Sequence, residues 1–394
     1  MKKIAILLNG SIKNDYRVIK TIKTLSKQYE IHLFYVNGTK SDELIFEDNV
    51  KLNSFVYKVN FLSKLVRNSF FCFEYNFFIK LVLNTNVKFD AVWSNDLPTL
   101  FPASKIALKL NCKLIYDSHE IYIETINQFF PRESSFPRKF IYSSLINLMR
   151  WHGSRVEGKI VKKVDLFYSV NTSLCDYFEK KYNLKGLKVL MNLPVFSAAV
   201  NVTKPFSFKQ YFNLEESNVI ILYQGAINEG RGLSLMVKAA KYLNKNTKLI
   251  ILGNGTLKRN LVDFVKSNDL ESAVKFMDAV SVQDLPTYTA GADFGINLLE
   301  DFNLSKKLAS PNKLFEYMHA GIPVLSSFSP ENDIIYRKFE IGLQCENNPE
   351  NIALKMNQLS ELNTNMIEQY RSELNKAKHE YCWEKQEAIL KDII

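Results

Sequence analysis

Ser310-Pro311-Asn312-Lys313-Leu314-Phe315-Glu316-Tyr317-Met318-His319-Ala320-Gly321-Ile322-Pro323 carries more information than any other stretch of this 394-residue chain. Ser310 is a good N-cap and Pro311 suits a first helical position, so the spacing predicts a helix that starts here. Gly321 followed by Pro323 ends it about three turns later. A helix N-terminus offers free N–H groups and the positive end of the macrodipole, which together make an anion site. Lys313 in the first turn works against that dipole, where Asp or Glu would serve local stability better. A cation so placed anticipates a bound anion. Asn312 and Glu316 are four apart and share one face, and a carboxylate there can accept two hydrogen bonds from the vicinal hydroxyls of a ribose. The plainer reading of the same residues is a well-capped surface helix with Glu316 in solvent.

Glycine turns upstream point the same way. Tyr223-Gln224-Gly225 ends an apolar run, Glu229-Gly230-Arg231-Gly232 precedes an apolar helix from Leu233, and Leu252-Gly253-Asn254-Gly255 ends the next run. Glycine at a strand's carboxyl end lets the backbone approach a ligand, at the edge where doubly wound folds bind them. Gly225, Gly253 and Gly255 are therefore candidate ligand-binding positions, and Arg231 can grip a diphosphate in forked geometry. Each of these also reads as an ordinary turn when taken alone.

Short β-rich runs alternate with helix-length segments along the whole chain, the pattern of parallel α/β sheets. In the first half the runs are Ile4–Leu8, Ile31–Val36, Ala91–Trp93, Lys113–Tyr116, Leu166–Val170 and Lys188–Leu190. After a polar stretch with Pro205 they resume as Val219–Tyr223, Lys248–Leu252, Val274–Phe276, Phe294–Leu298 and Pro323–Ser326. The expected architecture is two doubly wound, Rossmann-like domains facing a central cleft. Residues 1–196 form the first and 197–217 a linker. Residues 218–375 form the second, and 376–394 a last helix crossing back to the first.

Composition excludes other classes. Hydrophobic residues at 46% and aromatics at 13% supply two cores and rule out a disordered chain. The five cysteines, Cys72, Cys112, Cys175, Cys345 and Cys382, never occur as C-x-x-C, which argues against a disulfide framework or a structural zinc. The five-residue apolar run after Met1-Lys2-Lys3 is too short for a signal peptide, and no stretch reaches the ~18 apolar residues of a membrane span. A cytoplasmic protein is expected. The net charge of +10 suits phosphorylated small molecules or anionic lipid, while no nucleic-acid-binding signature is present. Segment 55–83 interleaves Phe55, Phe61, Phe70, Phe71, Phe73, Phe77 and Phe78 with Lys58, Lys64, Arg67 and Lys80. It reads either as core-facing helices with snorkelling lysines or as a peripheral contact with the inner face of the membrane.

SPNKLFEYMHAGIP at Ser310–Pro323 resembles the donor-binding motif of glycosyltransferase family 4, a retaining family of the GT-B fold. The resemblance runs along nearly the whole chain. Asn14-Asp15-Tyr16-Arg17-Val18 resembles the family's acceptor-side loop, and Ser94-Asn95-Asp96 and Tyr116-Asp117-Ser118-His119-Glu120 resemble two strand-end segments of its N-terminal domain. Asn192-Leu193-Pro194 resembles the interdomain entry and Trp383-Glu384 the crossover helix. The resemblance implies a sugar nucleotide on the C-terminal domain, its pyrophosphate held by Arg231, Lys313 and the helix N-terminus, with Ser310, Asn312 and Glu316 lining the site. Glu316 matches the ribose-binding glutamate that ends the family's E-x7-E pair, whereas Leu308 stands where the first glutamate would be. Gly225-Ala226 replaces a common G-R pair, and Arg231 sits where Lys is usual. His119 matches the position that contacts the donor sugar. Physically, an imidazole there can bond a sugar hydroxyl and stabilise charge between sugar and phosphate, or can be a structural His bonded to Asp117 or Glu120.

The implied activity is retaining transfer of a sugar from a nucleotide-diphosphate sugar to a hydroxyl of a glycan or lipid-linked acceptor, in cell-surface polysaccharide synthesis. His119, Arg231 and Lys313 are the expected catalytic residues, with Asp15 and Arg17 on the acceptor side. The leaving phosphate oxygen takes the acceptor's proton, so no protein base is needed. No Asp cluster suggests a metal-held diphosphate, so no metal or other cofactor is expected. The rival readings are a sugar-nucleotide epimerase or sugar phosphorylase on the same fold, or a sugar-nucleotide- or glycan-binding module without catalysis.

Overall fold

A computed structural model describes residues 1–56, 76–126, 136–196, 202, 204–300 and 303–394. These form two compact units: Met1–Met191 with Gln386–Ile394, and Asn192–Lys385.

The first unit is built on a seven-stranded parallel sheet. Its strands are β1 (Lys3–Leu8), β2 (Glu30–Val36), β3 (Val50–Phe55), β4 (Ala91–Asn95), β5 (Lys113–Ser118), β6 (Leu166–Ser169) and β7 (Lys188–Val189), in the order β3-β2-β1-β4-β5-β6-β7. Helices that include α1 (Tyr16–Leu25), α2 (Asp96–Leu110) and α3 (Phe136–Ile160) connect them. Strands covered on both faces must be apolar throughout, which is why Ile4–Leu7 and Ala91–Trp93 are continuous buried runs. Strand order reverses between β1 and β4.

The second unit repeats the plan with six parallel strands. They are β8 (Val219–Gln224), β9 (Thr247–Leu252), β10 (Val274–Met277), β11 (Phe294–Asn297), β12 (Val324–Ser327) and β13 (Gly342–Cys345), in the order β10-β9-β8-β11-β12-β13. Its helices include α4 (Leu233–Ala239), α5 (Asn312–Ala320) and α6 (Thr364–Glu380). Order reverses between β8 and β11, the point at which such sheets open a crevice.

Every strand read from the sequence is present, its ends shifted by one or two residues. The edge strands β3 and β13 escaped that reading because Lys51, Asn53 and Gln344 interrupt their apolar runs. Within the expected linker 197–217, Phe206 stacks on Tyr288 at 4.3 Å, its N–H donates to Thr287 O at 3.0 Å, and Phe208 is buried. These residues therefore pack into the body of the second unit. The expected single helix over 376–394 is corrected: α6 stops at Glu380, and a separate short helix, Trp383–Glu387, follows Tyr381. Gln386 Oε1 accepts from Met191 N–H at 2.8 Å, and Leu390 and Ile393 are buried in the first unit. Of segment 55–83, Phe78 and Val82 are core and Phe77 stacks on Phe55. The rest of the proposed membrane segment, 57–75, lies outside the described residues.

Two of the candidate glycines are explained by packing of backbone on backbone. The loops after β8 and β9 are laced together by Gly225 N–H to Leu252 O (2.9 Å), Ile227 N–H to Asn254 O (2.9 Å) and Leu257 N–H to Ile227 O (3.0 Å). A Cβ on Gly253, whose φ is +154°, would stand 1.9 Å from Gly225 O, and one on Gly255 would stand 2.3 Å from Ile227 O. Gly225 (φ +121°) is different: it is exposed, and the nearest atom to its notional Cβ is Lys313 Cδ at 3.9 Å. Gly253→Ala should therefore lower stability in urea unfolding by at least about 2 kcal/mol, through overlap and backbone strain. Gly321→Asn, at a left-handed helix C-cap with open space around it, should cost about 1 kcal/mol or less. Equal costs at the two positions would show that the loops are not pressed together.

Candidate functional site

In the second unit the predicted residues gather at the carboxyl ends of β8 and β11. Helix α5 starts one residue later than expected. Pro311 occupies the cap position (φ −75°, ψ 130°) without a side-chain cap bond, and Ser310 Oγ instead donates to Glu331 Oε2 at 3.2 Å. Lys313 is thus the second helical residue. It is buried, with Nζ 5.0 Å from the centroid of the Tyr223 ring. Desolvation, reinforced by the nearby Arg231 guanidinium and only partly countered by Glu316, lowers its pKa to about 7. The Arg231 guanidinium also lies near enough to Tyr223 for its charge to act on the phenol, which donates to Ala226 O at 2.7 Å. Two cations therefore lie beside one tyrosine, and their mutual repulsion calls for an anion.

About one turn further, Glu316 Oε2 accepts from Gln224 Nε2 at 2.6 Å, and Gln224 Oε1 accepts from Thr289 Oγ at 2.8 Å. The fully buried Gln224 thereby sets the carboxylate's position. Asn312 is exposed on the helix's first turn. Glu300 holds the Gly230–Gly232 loop from the β11 side, its carboxylate accepting from Gly232 N–H at 2.8 Å and its N–H donating to Gly230 O at 3.3 Å. Sequence reading missed Gln224, Thr289 and Glu300 as site residues. A fully polar side chain closing the apolar run of β8 was the signal for Gln224; the other two are joined to the site only by the fold.

The first unit has a separate charged cluster at the corresponding edge of its sheet. His119, just after β5, donates its backbone N–H to Asp96 Oδ1 at 2.8 Å, and its ring Nδ1 lies 3.0 Å from Asp96 Oδ2. Nε2 makes an ion-pair contact with Asp117 Oδ2 at 3.2 Å. Burial favours the neutral ring, but Asp96 and then Asp117 outweigh burial and the Arg17 guanidinium, lifting the pKa of His119 to about 10. Asp96 is itself held below its ordinary value despite burial, chiefly by His119. Of the two carboxylates that the sequence offered as structural partners, Asp117 is one, while the dominant partner, Asp96, lies in another segment. Asp96 adopts φ +59° at the start of α2, a strained conformation that aims its carboxylate at the imidazole. Asp15 caps α1, accepting from Val18 N–H at 3.2 Å, and the buried Arg17 Nε has no hydrogen-bond partner.

His119 is thus an imidazolium at neutral pH, suited to donating hydrogen bonds and stabilising negative charge rather than to accepting a proton. A raised His pKa contributes stability that is complete below the unfolded value of 6.5 and is lost as pH climbs through about 10. By NMR, the His119 ring should remain protonated at pH 8 in the wild type and should titrate at markedly lower pH in Asp96→Asn. A wild-type midpoint near 6.5 would rule out the ion pair.

Residues 206–379 match the family Glycosyl transferases group 1. No curated protein matches the chain in sequence. Among solved structures, HepE of Anabaena, in complex with UDP and glucose, superposes with a TM-score of 0.72 at 13% identity, over 99% of this chain and 98% of that one. Sucrose-phosphate synthase of Thermosynechococcus elongatus gives a TM-score of 0.69 at 14% identity, over 99% and 97% of the chains. WaaG, a glycosyltransferase involved in lipopolysaccharide biosynthesis, gives 0.66 at 14% identity, over 99% and 100%. At such identity the likeness is one of fold, and the fold is GT-B: two parallel sheets, of seven and six strands, each flanked by helices.

Proposed function

We propose that the chain is a retaining, metal-independent glycosyltransferase that moves a sugar from a nucleoside-diphosphate sugar to a hydroxyl of a cell-surface glycan or its lipid-linked precursor. The observation that carries the reading is Lys313 over the Tyr223 ring with Arg231 close enough to act on both, about one turn from a positioned carboxylate, in the unit that matches the group 1 family. A diphosphate between the two cations relieves their repulsion and restores the proton that desolvation weakens on Lys313. Glu316, oriented by Gln224, then takes the ribose hydroxyls. With HepE seen with UDP and with UDP-glucose, a nucleoside diphosphate is the natural occupant. WaaG's part in lipopolysaccharide biosynthesis supports a surface-glycan acceptor.

In the chemical step, the bond from the anomeric carbon to the phosphate oxygen breaks as negative charge builds on the diphosphate. Lys313, Arg231 and the α5 N-terminus stabilise that charge, the part a metal ion plays elsewhere. The acceptor hydroxyl enters on the same face, and its proton passes to the departing phosphate oxygen. In this reading His119, as an imidazolium, steadies a sugar hydroxyl and the developing charge, and Asp15 and Arg17 serve the acceptor.

The test is a thermal-shift panel of UDP, GDP and ADP in excess chelator, followed by product analysis with the sugars of whichever nucleotide binds. One nucleotide at ~100 times its dissociation constant should stabilise the wild type by about 2.7 kcal/mol. The shift should vanish in Arg231→Ala/Lys313→Ala, and Glu316→Ala should weaken binding about tenfold or more through lost charge-assisted bonds. Because the bound anion raises the Lys313 pKa, binding above pH 7 should take up a proton, and affinity should fall by up to tenfold per pH unit there. Absence of any nucleotide shift, or binding indifferent to Glu316 and to pH, would overturn the donor assignment.

A further inference from the structure

Helix α3 carries an exposed stripe that neither the fold nor the donor site explains. Phe140, Ile141, Leu148 and Trp151 are 74%, 61%, 53% and 58% exposed, although each would ordinarily seek a core. Advancing ~100° per residue, Phe140, Ser144, Leu148, Trp151, Arg155 and Lys159 fall within one sector about a quarter of the helix's circumference wide, and Ile141 falls on its border. The other side of the helix is satisfied, with Met149, Gly153 and Glu157 buried and α2 packed alongside. The stripe changes character along its length. Its first half is apolar, and its second half presents Arg155, lying over the Trp151 ring at 5.5 Å, then Lys159, with the exposed Lys162 and Lys163 just beyond the helix. Glu157 is the only carboxylate between residues 136 and 163, and it is buried.

We propose that this stripe of α3 docks on an anionic lipid surface and holds the first unit there. Aromatic and aliphatic side chains inserted at headgroup depth, beside an uninterrupted set of cations, are what such a surface selects. The reach from Phe140 to Lys159, ~1.5 Å per residue or about 28 Å, lets the helix lie flat along it. A second copy of the chain is a poorer partner. Antiparallel pairing of two stripes sets cations on the apolar halves, and parallel pairing sets cations on cations. No helix among the described residues is long and apolar enough to cross a membrane, so the attachment is peripheral. It is also distinct from the 55–83 segment singled out in the sequence.

The placement has a consequence for substrate. The chain leaves β5 at Ser118 and enters β6 at Leu166, so α3 runs back from the carboxyl edge of the sheet and its apolar half is the end nearer Asp15, Asp96 and His119. An acceptor anchored in the lipid would be delivered to that edge. This last step rests on the transferase reading; the docking itself does not.

Of the three tryptophans, Trp93 and Trp383 are buried, so Trp151 is the one positioned to report. Vesicles of phosphatidylglycerol and phosphatidylcholine in equal parts should blue-shift its emission and co-sediment the wild-type chain, with binding weakened by salt. Vesicles of phosphatidylcholine alone should not. Lys159→Ala/Lys162→Ala should lower the partition coefficient about thirtyfold, from about fivefold per cation. Phe140→Ser/Trp151→Ser should abolish co-sedimentation while leaving the thermal unfolding midpoint unchanged, since both side chains are already in water. Failure of the wild type to bind, equal binding by both variants, or a concentration-dependent dimer lost in Phe140→Ser/Trp151→Ser would each overturn the proposal. None of these readings uses a sugar nucleotide, so the donor assignment stands or falls separately.

Discussion

The second unit depends on how the gap between β8 and β11 is filled. The two strands pair at Phe294 with Ile221 and at Gly295 with Leu222, then part, leaving β8 backbone groups without a ladder partner in the interior. The Tyr317 hydroxyl supplies both missing bonds, donating to Leu222 O at 2.8 Å and accepting from Gln224 N–H at 3.1 Å. Its ring lies where a Cβ on residue 295 would be, 2.4 Å from Cγ, so Gly295 is the room for it. Because Tyr317 anchors α5 at this depth, Glu316 on its neighbouring face reaches Gln224, and Lys313 one turn earlier is driven against Tyr223. One buried phenol thus ties the strand separation to the site.

The first unit solves the same problem with an amide. Where β1 and β4 part, Asn95 Nδ2 donates to Leu7 O at 2.9 Å, and the chain turns at once into Asp96 with its left-handed φ. The strain is held in place by bonds on both sides: Asn95 fixed to β1, and the Asp96 carboxylate fixed to the backbone and ring of His119. In both units, then, a polar side chain pins the point where the strands separate. The next residues along the chain, or the next turn of helix, carry the charges.

Local features were legible from sequence and relational ones were not. Lys313 and Glu316 stood out because a helix start, a misplaced cation and a carboxylate three residues after it occupy seven consecutive positions. The strand pattern was equally plain wherever both faces are covered, and it faded at β3 and β13, where one side is open. Gln224, Thr289, Asp96 and Glu300 matter through partners 23 to 92 residues away, and no spacing encodes such a contact. Gly253 and Gly255 were read as ligand-facing because glycine at a strand end is common to both causes; the atom within 2.3 Å of either Cβ is another loop's carbonyl. Helix α3 escaped attention for a related reason. Its apolar residues sit at good helical spacing for a core, and only the fold shows that part of that face meets solvent.

The charges at the two carboxyl edges titrate in opposite senses. Burial in the second unit strips Lys313 of its hydration with no carboxylate close enough to compensate fully, so the folded state disfavours the cation by a free energy on the order of a few kcal/mol. That cost is complete below about pH 7 and is relieved as pH rises toward 10.5, where the unfolded chain also releases the proton. In the first unit two carboxylates over-compensate His119, and its contribution is lost over a similar alkaline range. The difference follows from what each site lacks. Asp96 and Asp117 supply the anions of the first cluster internally, so its charge is balanced without a ligand. The second holds two cations, an aromatic face and unpaired helix N–H groups, and its deficit is one of negative charge. A unit that keeps Lys313 buried against the dipole and against Arg231 is preorganised at the expense of its own stability, and an anion that binds between them recovers that stability as affinity.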